Sequence, residues 1–113
     1  MTTKERTCEE RIDEELKSRI EDFRNALKGK YEDYKYEDQI EWLNSYALAY
    51  NDDPHARAKR LELSYGGPQD YFLFFEDETI EYHFLDWFDG AKKELEGEDY
   101  KTMKDFFDSY LDI

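Results

Sequence analysis

Residues 61–85 read Leu61-Glu-Leu-Ser-Tyr-Gly-Gly-Pro-Gln-Asp-Tyr-Phe-Leu-Phe-Phe-Glu-Asp-Glu-Thr-Ile-Glu-Tyr-His-Phe-Leu85. Leu61, Leu63 and Tyr65 alternate with Arg60, Glu62 and Ser64, the period of two that marks a half-buried strand. Gly66-Gly67-Pro68 then turns the chain into Tyr71–Phe75, a continuous apolar run suited to a central strand. Glu76-Asp77-Glu78 makes the next turn, and Thr79 to Leu85 places Ile80, Tyr82 and Phe84 on one face of a third strand. The three strands predict an antiparallel meander.

Upstream, Asn51-Asp52-Asp53-Pro54 is a break, because Pro lacks a donor and Asn and Asp close turns with their own side chains. Ahead of it, Tyr36, Ile40, Leu43 and Ala47 fit a helix, whereas Tyr46, Leu48 and Tyr50 alternate as in a strand. This mixture predicts a short helix from Glu37 to Asn44 and then a strand through Tyr50. Nearer the N-terminus, Cys8, Ile12, Leu16, Ile20, Phe23 and Leu27 recur at three- and four-residue spacings, the stripe of an amphipathic helix. Thr7 with Glu10 offers a capping box, a start near Thr2 or Thr3 serves equally, and Gly29 is a natural stop. Pairs such as Asp13 with Lys17 and Glu15 with Arg19 are expected along this helix.

Downstream, Asp86-Trp87-Phe88-Asp89-Gly90 reads as an irregular corner and Gly97 as a second break, with the remainder helical. From Glu98 on, Tyr100, Met103, Phe106, Phe107, Tyr110 and Leu111 fall on one arc at 100° per residue, and Asp105, Asp108 and Asp112 on the opposite arc. The expected fold is α+β: a single domain over residues 1–113, with a three- to four-stranded antiparallel sheet covered on one face by N-terminal and C-terminal helices.

Composition decides which functions fit. Ten Tyr, eight Phe and two Trp supply a core that scattered apolar residues would not, and in the absence of Val the sheet must rest on aromatic, Leu and Ile side chains. Cys8 is alone, which leaves no internal disulfide or thiolate cluster and points to a reducing compartment, the cytoplasm. The N-terminal residues carry no apolar leader and no segment is long enough to span a bilayer. The chain carries a formal charge of −14, so membrane surfaces and direct nucleic acid binding are both disfavoured.

That charge is lopsided: residues 70–113 hold fourteen Asp and Glu against four Lys and no Arg. Carboxylates on rigid elements at helical spacing lie about 5–6 Å apart, close to the phosphate spacing of a nucleic acid strand. The candidate partner-binding residues are therefore the hairpin tip Glu76, Asp77 and Glu78, the corner Asp86 and Asp89, the helix start Glu98 and Asp99, and the helix face Asp105, Asp108 and Asp112. The competing reading is a solvated face, since acids at a helix N-terminus ordinarily stabilise its dipole and Lys101 falls on the same arc as the aspartates.

Other constellations carry less. Glu81, His83, Asp86 and Asp89 hold metal- and base-type side chains, but alternation makes Glu81 and His83 the polar side of a strand. Gly66-Gly67-Pro68 leads into an apolar strand rather than a helix N-terminus, so it reads as a turn and not a phosphate loop. The first helix is too short for a coiled coil and is expected to cover the sheet. No catalytic residue, cofactor or metal is expected.

Three stretches, Thr7-Cys-Glu-Glu-Arg-Ile-Asp-Glu-Glu-Leu16, Leu63-Ser-Tyr-Gly-Gly-Pro68 and Glu81-Tyr-His-Phe-Leu-Asp-Trp-Phe-Asp-Gly-Ala91, together resemble a group of small acidic proteins carried by bacteriophages and integrative elements. The resemblance identifies no active site, and the Tyr- and acid-rich residues 30–53 depart from it. It implies a mobile-element origin and an inhibitor of host defence, acting on a basic nucleic-acid-binding protein such as a CRISPR effector or a restriction enzyme. The expected function is thus a non-enzymatic, DNA-mimicking inhibitor in the host bacterial cytoplasm. The alternative is a structural or interaction module of a phage or plasmid that works through exposed aromatic residues.

Overall fold

The computed structural model describes residues 7–30 and 38–112. In order it has helix α1 (Cys8–Leu27), helix α2 (Gln39–Tyr46), strands β1 (Ala49–Asp52), β2 (Ala58–Ser64), β3 (Gln69–Phe75), β4 (Ile80–Asp86) and β5 (Asp89–Glu94), helix α3 (Gly97–Phe106) and a π-helical turn (Phe107–Leu111). The fold is α+β. The five strands form one antiparallel sheet in sequence order, β1-β2-β3-β4-β5, so the apolar run of β3 is central as its composition demands.

The sheet has one strand more than the upper expectation. Asp89–Glu94, whose first two residues read from sequence as part of an irregular corner and whose others read as helical, is an edge strand paired to β4 from Glu81↔Glu94 to Asp86↔Asp89. Trp87 and Phe88 form the two-residue turn that folds it back. The second helix starts and ends two residues later than expected, and its anticipated members Tyr36 and Glu37 lie outside the described residues, as do Thr2 and Thr3.

One face of the sheet carries the core. Leu61, Leu63, Phe72, Phe74, Ile80, Tyr82 and Phe84 point to α1 and α3 and are all at most 4 % exposed. Phe23 of α1 stands at the centre, edge-on to Trp42, Tyr46, Phe72 and Phe106 with ring centroids 4.9–5.9 Å apart. This is how a chain without Val fills a core: perpendicular rings occupy the space that branched aliphatics would. Tyr65 departs from its expected place among the inward residues, because β2 ends at a register shift beyond Glu62 and Gly66 turns with φ +96°, leaving Tyr65 exposed.

Helix α1 begins where its sequence signal says. The Thr7 hydroxyl accepts from the Glu10 N–H at 3.2 Å and the Glu10 carboxylate accepts from the Thr7 N–H at 3.3 Å, the reciprocal bonds of a capping box. The expected pairs within α1 are replaced by tertiary ones: Asp13 meets Lys93 of β5, and Arg19 reaches Asp70 of β3.

Among the described residues Asp70 is the most deeply buried charge. It is 2 % exposed and accepts from Arg19 Nε (2.7 Å), Arg19 Nη2 (2.9 Å), Tyr82 Oη (2.6 Å) and Ser64 Oγ (2.5 Å). Arg19 Nη1 continues to Tyr46 Oη, which donates to Asp22. Burial disfavours the Arg19 charge, but its bonds to Asp70 and Tyr46 outweigh that and hold its pKa above the ordinary guanidinium range. Burial, reinforced by the Asp70 bond, likewise pushes the Tyr82 phenol far up.

Candidate functional site

The two ends of the sheet differ in chemistry. The β2–β3 turn, the β4–β5 turn and the start of β1 share one end, where Leu48, Tyr65, Trp87 and Phe88 are 61 %, 75 %, 84 % and 105 % exposed. The β1–β2 connection, the β3–β4 turn and the end of β5 share the other, about 20 Å away along the strands. Helix α3 crosses this second end, tied at its start by the Leu95 N–H to the Ile80 carbonyl and at its finish by Phe107 stacked on Phe74 at 4.7 Å.

Of the ten carboxylates singled out by sequence, eight lie on the β3–β4 turn, on α3 and on its π-helical continuation, and two lie at the aromatic end. Glu76, Asp77 and Glu78 cap the β3–β4 turn, Glu98 and Asp99 open α3, and Asp105, Asp108 and Asp112 follow along it and its π-helical continuation. Asp86 and Asp89 sit at the aromatic end and are occupied. Asp86 accepts from Arg11 Nη1 at 2.6 Å, and Asp89 accepts from the Cys8 N–H at 2.7 Å, capping α1 from β5. The hydrogen bond from the Cys8 N–H lowers the Asp89 pKa, while burial, together with Asp89's charge, raises that of the Cys8 thiol. These two aspartates dock α1 onto the sheet: Asp86 is ion-paired with Arg11, whereas Asp89 stays exposed and holds the neutral Cys8 N–H.

The acidic end is held rigid by its own contacts. Glu78 adopts φ +72°, a backbone region side chains rarely enter, and three bonds fix it there. Its N–H donates to the Phe75 carbonyl at 3.0 Å, its carbonyl accepts from Tyr100 Oη at 2.7 Å, and its carboxylate lies 3.3 Å from Lys104 Nζ. Lys104 also meets Asp108 at 3.0 Å, so one cation stands between the turn and the helix. Asp77 accepts from the Thr79 N–H at 3.0 Å, which lowers its pKa and keeps it ionised. Glu76, Glu98, Asp99, Asp105 and Asp112 have no side-chain hydrogen bond or ion pair among the described residues.

The helical arc drawn from sequence does not hold to the end of the chain. After Phe106 the backbone widens, with the Asp112 N–H bonded to the Phe107 carbonyl five residues back at 2.8 Å. Asp112 thereby leaves the line of Asp105 and Asp108 and instead borders a cleft of about 530 Å³ between the sheet end and the π-helical turn. Its floor is Phe74, Ile80 and Phe107; around it stand Asp52, Glu76, Glu78 and Asp112, alternating with Arg57, Lys59 and Lys104.

The opposite face of the sheet bears a row that sequence reasoning did not assemble. The Arg60 guanidinium lies 3.7 Å over the Tyr71 ring, and Tyr71 stacks on His83 at 4.8 Å and 14°. Glu62 receives Arg60 Nε at 2.7 Å, and Glu81 and His83 Nε2 are 2.9 Å apart. Glu81 and His83 thus do form the polar side of β4. Among the described residues no group of three or more His, Cys, Asp or Glu is placed to hold a metal ion, and no helix is long and apolar enough to cross a membrane.

Compared with known proteins, the chain matches no family model, no curated protein and no solved structure, so the charge geometry and the exposed aromatics are what bear on its function.

Proposed function

We propose that the protein is a non-enzymatic inhibitor that offers its acidic end to a basic, nucleic-acid-binding surface of a bacterial host defence complex, a CRISPR effector or a restriction enzyme. The mobile-element origin and the cytoplasmic setting implied by the resemblance belong to this proposal. The observation that carries it is the locked turn: Glu78 joins the β3–β4 tip to α3 through Lys104 and Tyr100, so the surrounding carboxylates are presented without a large ordering cost. A disordered acidic tail of equal charge would lose entropy on every encounter. Attraction between this end and a basic channel accelerates encounter and weakens with salt, because exposed charges are screened beyond about 8 Å at physiological ionic strength.

The test uses the five acids without internal partners. A Glu76→Gln, Glu98→Gln, Asp99→Asn, Asp105→Asn, Asp112→Asn variant retains every hydrogen bond and ion pair described above. Purified CRISPR effector and restriction endonuclease are each mixed with a fluorescent cognate duplex, and displacement of the duplex by wild type and variant is measured from about 0.05 to 0.5 M salt. Wild type is expected to displace the duplex at low salt and to lose potency with salt, and the variant to be at least about tenfold weaker. Equal potency of wild type and variant, or displacement insensitive to salt, refutes the proposal.

A further inference from the structure

The β4–β5 turn is built against the preferences of its backbone and of its solvent. Two-residue hairpin turns require φ > 0 at the first central position and therefore select Gly, Asn or Asp there. Here that position is Trp87, at φ +58°, and the next residue is Phe88. Both rings project into solvent, Trp87 84 % and Phe88 105 % exposed, while twelve other aromatic side chains are partly or fully withdrawn into or against the core. A chain that buries most of its rings places these two, the most exposed among the described residues, side by side at a tip.

We infer that the Trp87-Phe88 tip, with Tyr65 beside it, is a contact surface for a second copy of this chain, joined in a two-fold, tip-to-tip dimer. This surface is separate from the acidic end and does not depend on the function proposed for it.

Three observations favour a second copy. The first is area. Trp and Phe rings bury about 150–250 Å² each, and Tyr65 stands two strands away, about 10 Å across the sheet end. Leu48 extends the patch along the start of β1. Together they approach the roughly 800 Å² per partner of a standard interface, reaching the range of a weak, reversible dimer. The second is charge placement. A chain at −14 resists self-association, yet a tip-to-tip arrangement puts the acidic ends more than about 40 Å apart, far beyond the screening length. Of the carboxylates nearest the tip, Asp86 is paired with Arg11, whereas Asp89 bonds the neutral Cys8 N–H and keeps its charge, adding to the repulsion that salt screens. The third is symmetry: a two-fold pair covers both tips at once, leaving neither open to further growth.

Exposed Glu9 on α1 lies near the tip, since the adjoining Cys8 N–H sits on Asp89, and it opposes the pair across the interface. The dimer is therefore strengthened by salt, the opposite sign to partner binding through the acidic end. Failure of one inference leaves the other measurable.

The test is sedimentation velocity of the full chain from about 1 to 500 μM at about 0.05 and 0.5 M salt. The mass is expected to rise from 13.8 kDa toward twice that value, at lower protein concentration in the higher salt. A Trp87→Gly, Phe88→Ser variant, whose glycine suits the turn and so preserves the hairpin, is expected to raise the dissociation constant at least about thirty-fold. Its circular dichroism and melting curve check that it folds, and Phe88→Ser alone serves as a second variant that leaves the turn backbone untouched. Wild type that remains monomeric at every concentration and salt overturns the inference. In that event, adsorption to neutral phosphatidylcholine vesicles would assign the tip to lipid. Dimerisation equal in wild type and variant also overturns it.

Discussion

Replacing Asp70 by Asn is the sharpest probe of how this chain holds together. Asp70 Oδ1 receives Arg19 Nη2 and Ser64 Oγ, and Oδ2 receives Arg19 Nε and Tyr82 Oη. An Asn keeps one oxygen and turns an amide NH₂ toward the other pair of donors. The Ser64 and Tyr82 hydroxyls can rotate to accept from it, but an Arg19 N–H cannot, so one donor faces another in a site that is 2 % exposed. The guanidinium also loses its buried counter-charge. Breaking one side of a buried ion pair costs about 3–5 kcal/mol, and because the Arg19 side chain is 22 % exposed and regains some water, the low end of about 3 kcal/mol applies. Unfolding entropy of about 2.1 cal/mol/K per residue, taken over 113 residues, is about 0.24 kcal/mol/K, so Tm falls by about 13 °C. Thermal denaturation by circular dichroism at neutral pH measures it, with an Arg19→Met, Asp70→Leu double variant to expose the coupling. The double variant should lose less than the sum of the two single changes. A Tm for Asp70→Asn within about 4 °C of wild type refutes the reasoning, because the network would then be no stronger than a surface pair.

Three further outcomes follow from the same contacts. Alkaline unfolding should set in above pH 10: burial raises the phenols of Tyr46 and Tyr82 far above their ordinary value and that of Tyr50 to about 12, so the unfolded chain releases protons first. Stability is complete below pH 10 and declines through pH 12, by up to about 1.4 kcal/mol per pH unit for each deeply buried phenol; urea titrations across that interval would show a flat profile if the phenols were free. Cys8 is 1 % exposed and its thiol is raised by burial and by Asp89, so a thiol reagent at pH 8 should label it only as fast as the protein opens. Labelling at the rate of a free thiol would contradict that placement. Trp87→Gly alone should stabilise the monomer by up to about 1 kcal/mol, or about 4 °C in Tm, by relieving φ +58° without loss of packing. A lower Tm would mean that Trp87 supports the fold.

Local patterns announced their elements; long-range chemistry did not. The alternation of Ile80, Tyr82 and Phe84 and the spacing of Cys8, Ile12, Leu16, Ile20 and Phe23 are enforced by burial, and each proves buried. The capping box at Thr7 was equally plain, since both partners lie within one turn. Strand β5 left no such trace. As an edge strand of composition Asp-Gly-Ala-Lys-Lys-Glu it buries almost nothing, and only Ala91 packs against the core. Its position is dictated by a two-residue turn whose occupant, Trp, is not a turn residue. Asp70 was invisible for the opposite reason: its partner Arg19 is 51 residues away and was already accounted for by Glu15 within its own helix. The candidate site was legible as a class of residue but not as a set. Glu78 of the turn and Asp108 meet at Lys104, and Asp112 borders the same cleft as Glu76 and Glu78, whereas Asp86 and Asp89, three residues apart in sequence and paired across the β4–β5 turn, belong to the docking of α1.

That division explains how a fold tolerates so large a surplus of one sign. Where carboxylates and apolar elements must meet, each acid is given a donor: Asp70 has Arg19, Asp86 has Arg11 and Asp89 has a helix N-terminus. Glu76, Glu98, Asp99, Asp105 and Asp112 have no such partner among the described residues, while Lys104 bridges Glu78 and Asp108. These five acids thus lie on the β3–β4 turn, on α3 and on the π-helical turn, away from the tip formed by Trp87 and Phe88. Salt is predicted to act on the two ends with opposite signs, weakening the proposed partner binding at one and strengthening the proposed self-association at the other. A single titration with salt, following partner displacement and self-association on the same sample, therefore reads the two surfaces independently. Parallel salt responses would mean that the ends do not act as separate surfaces.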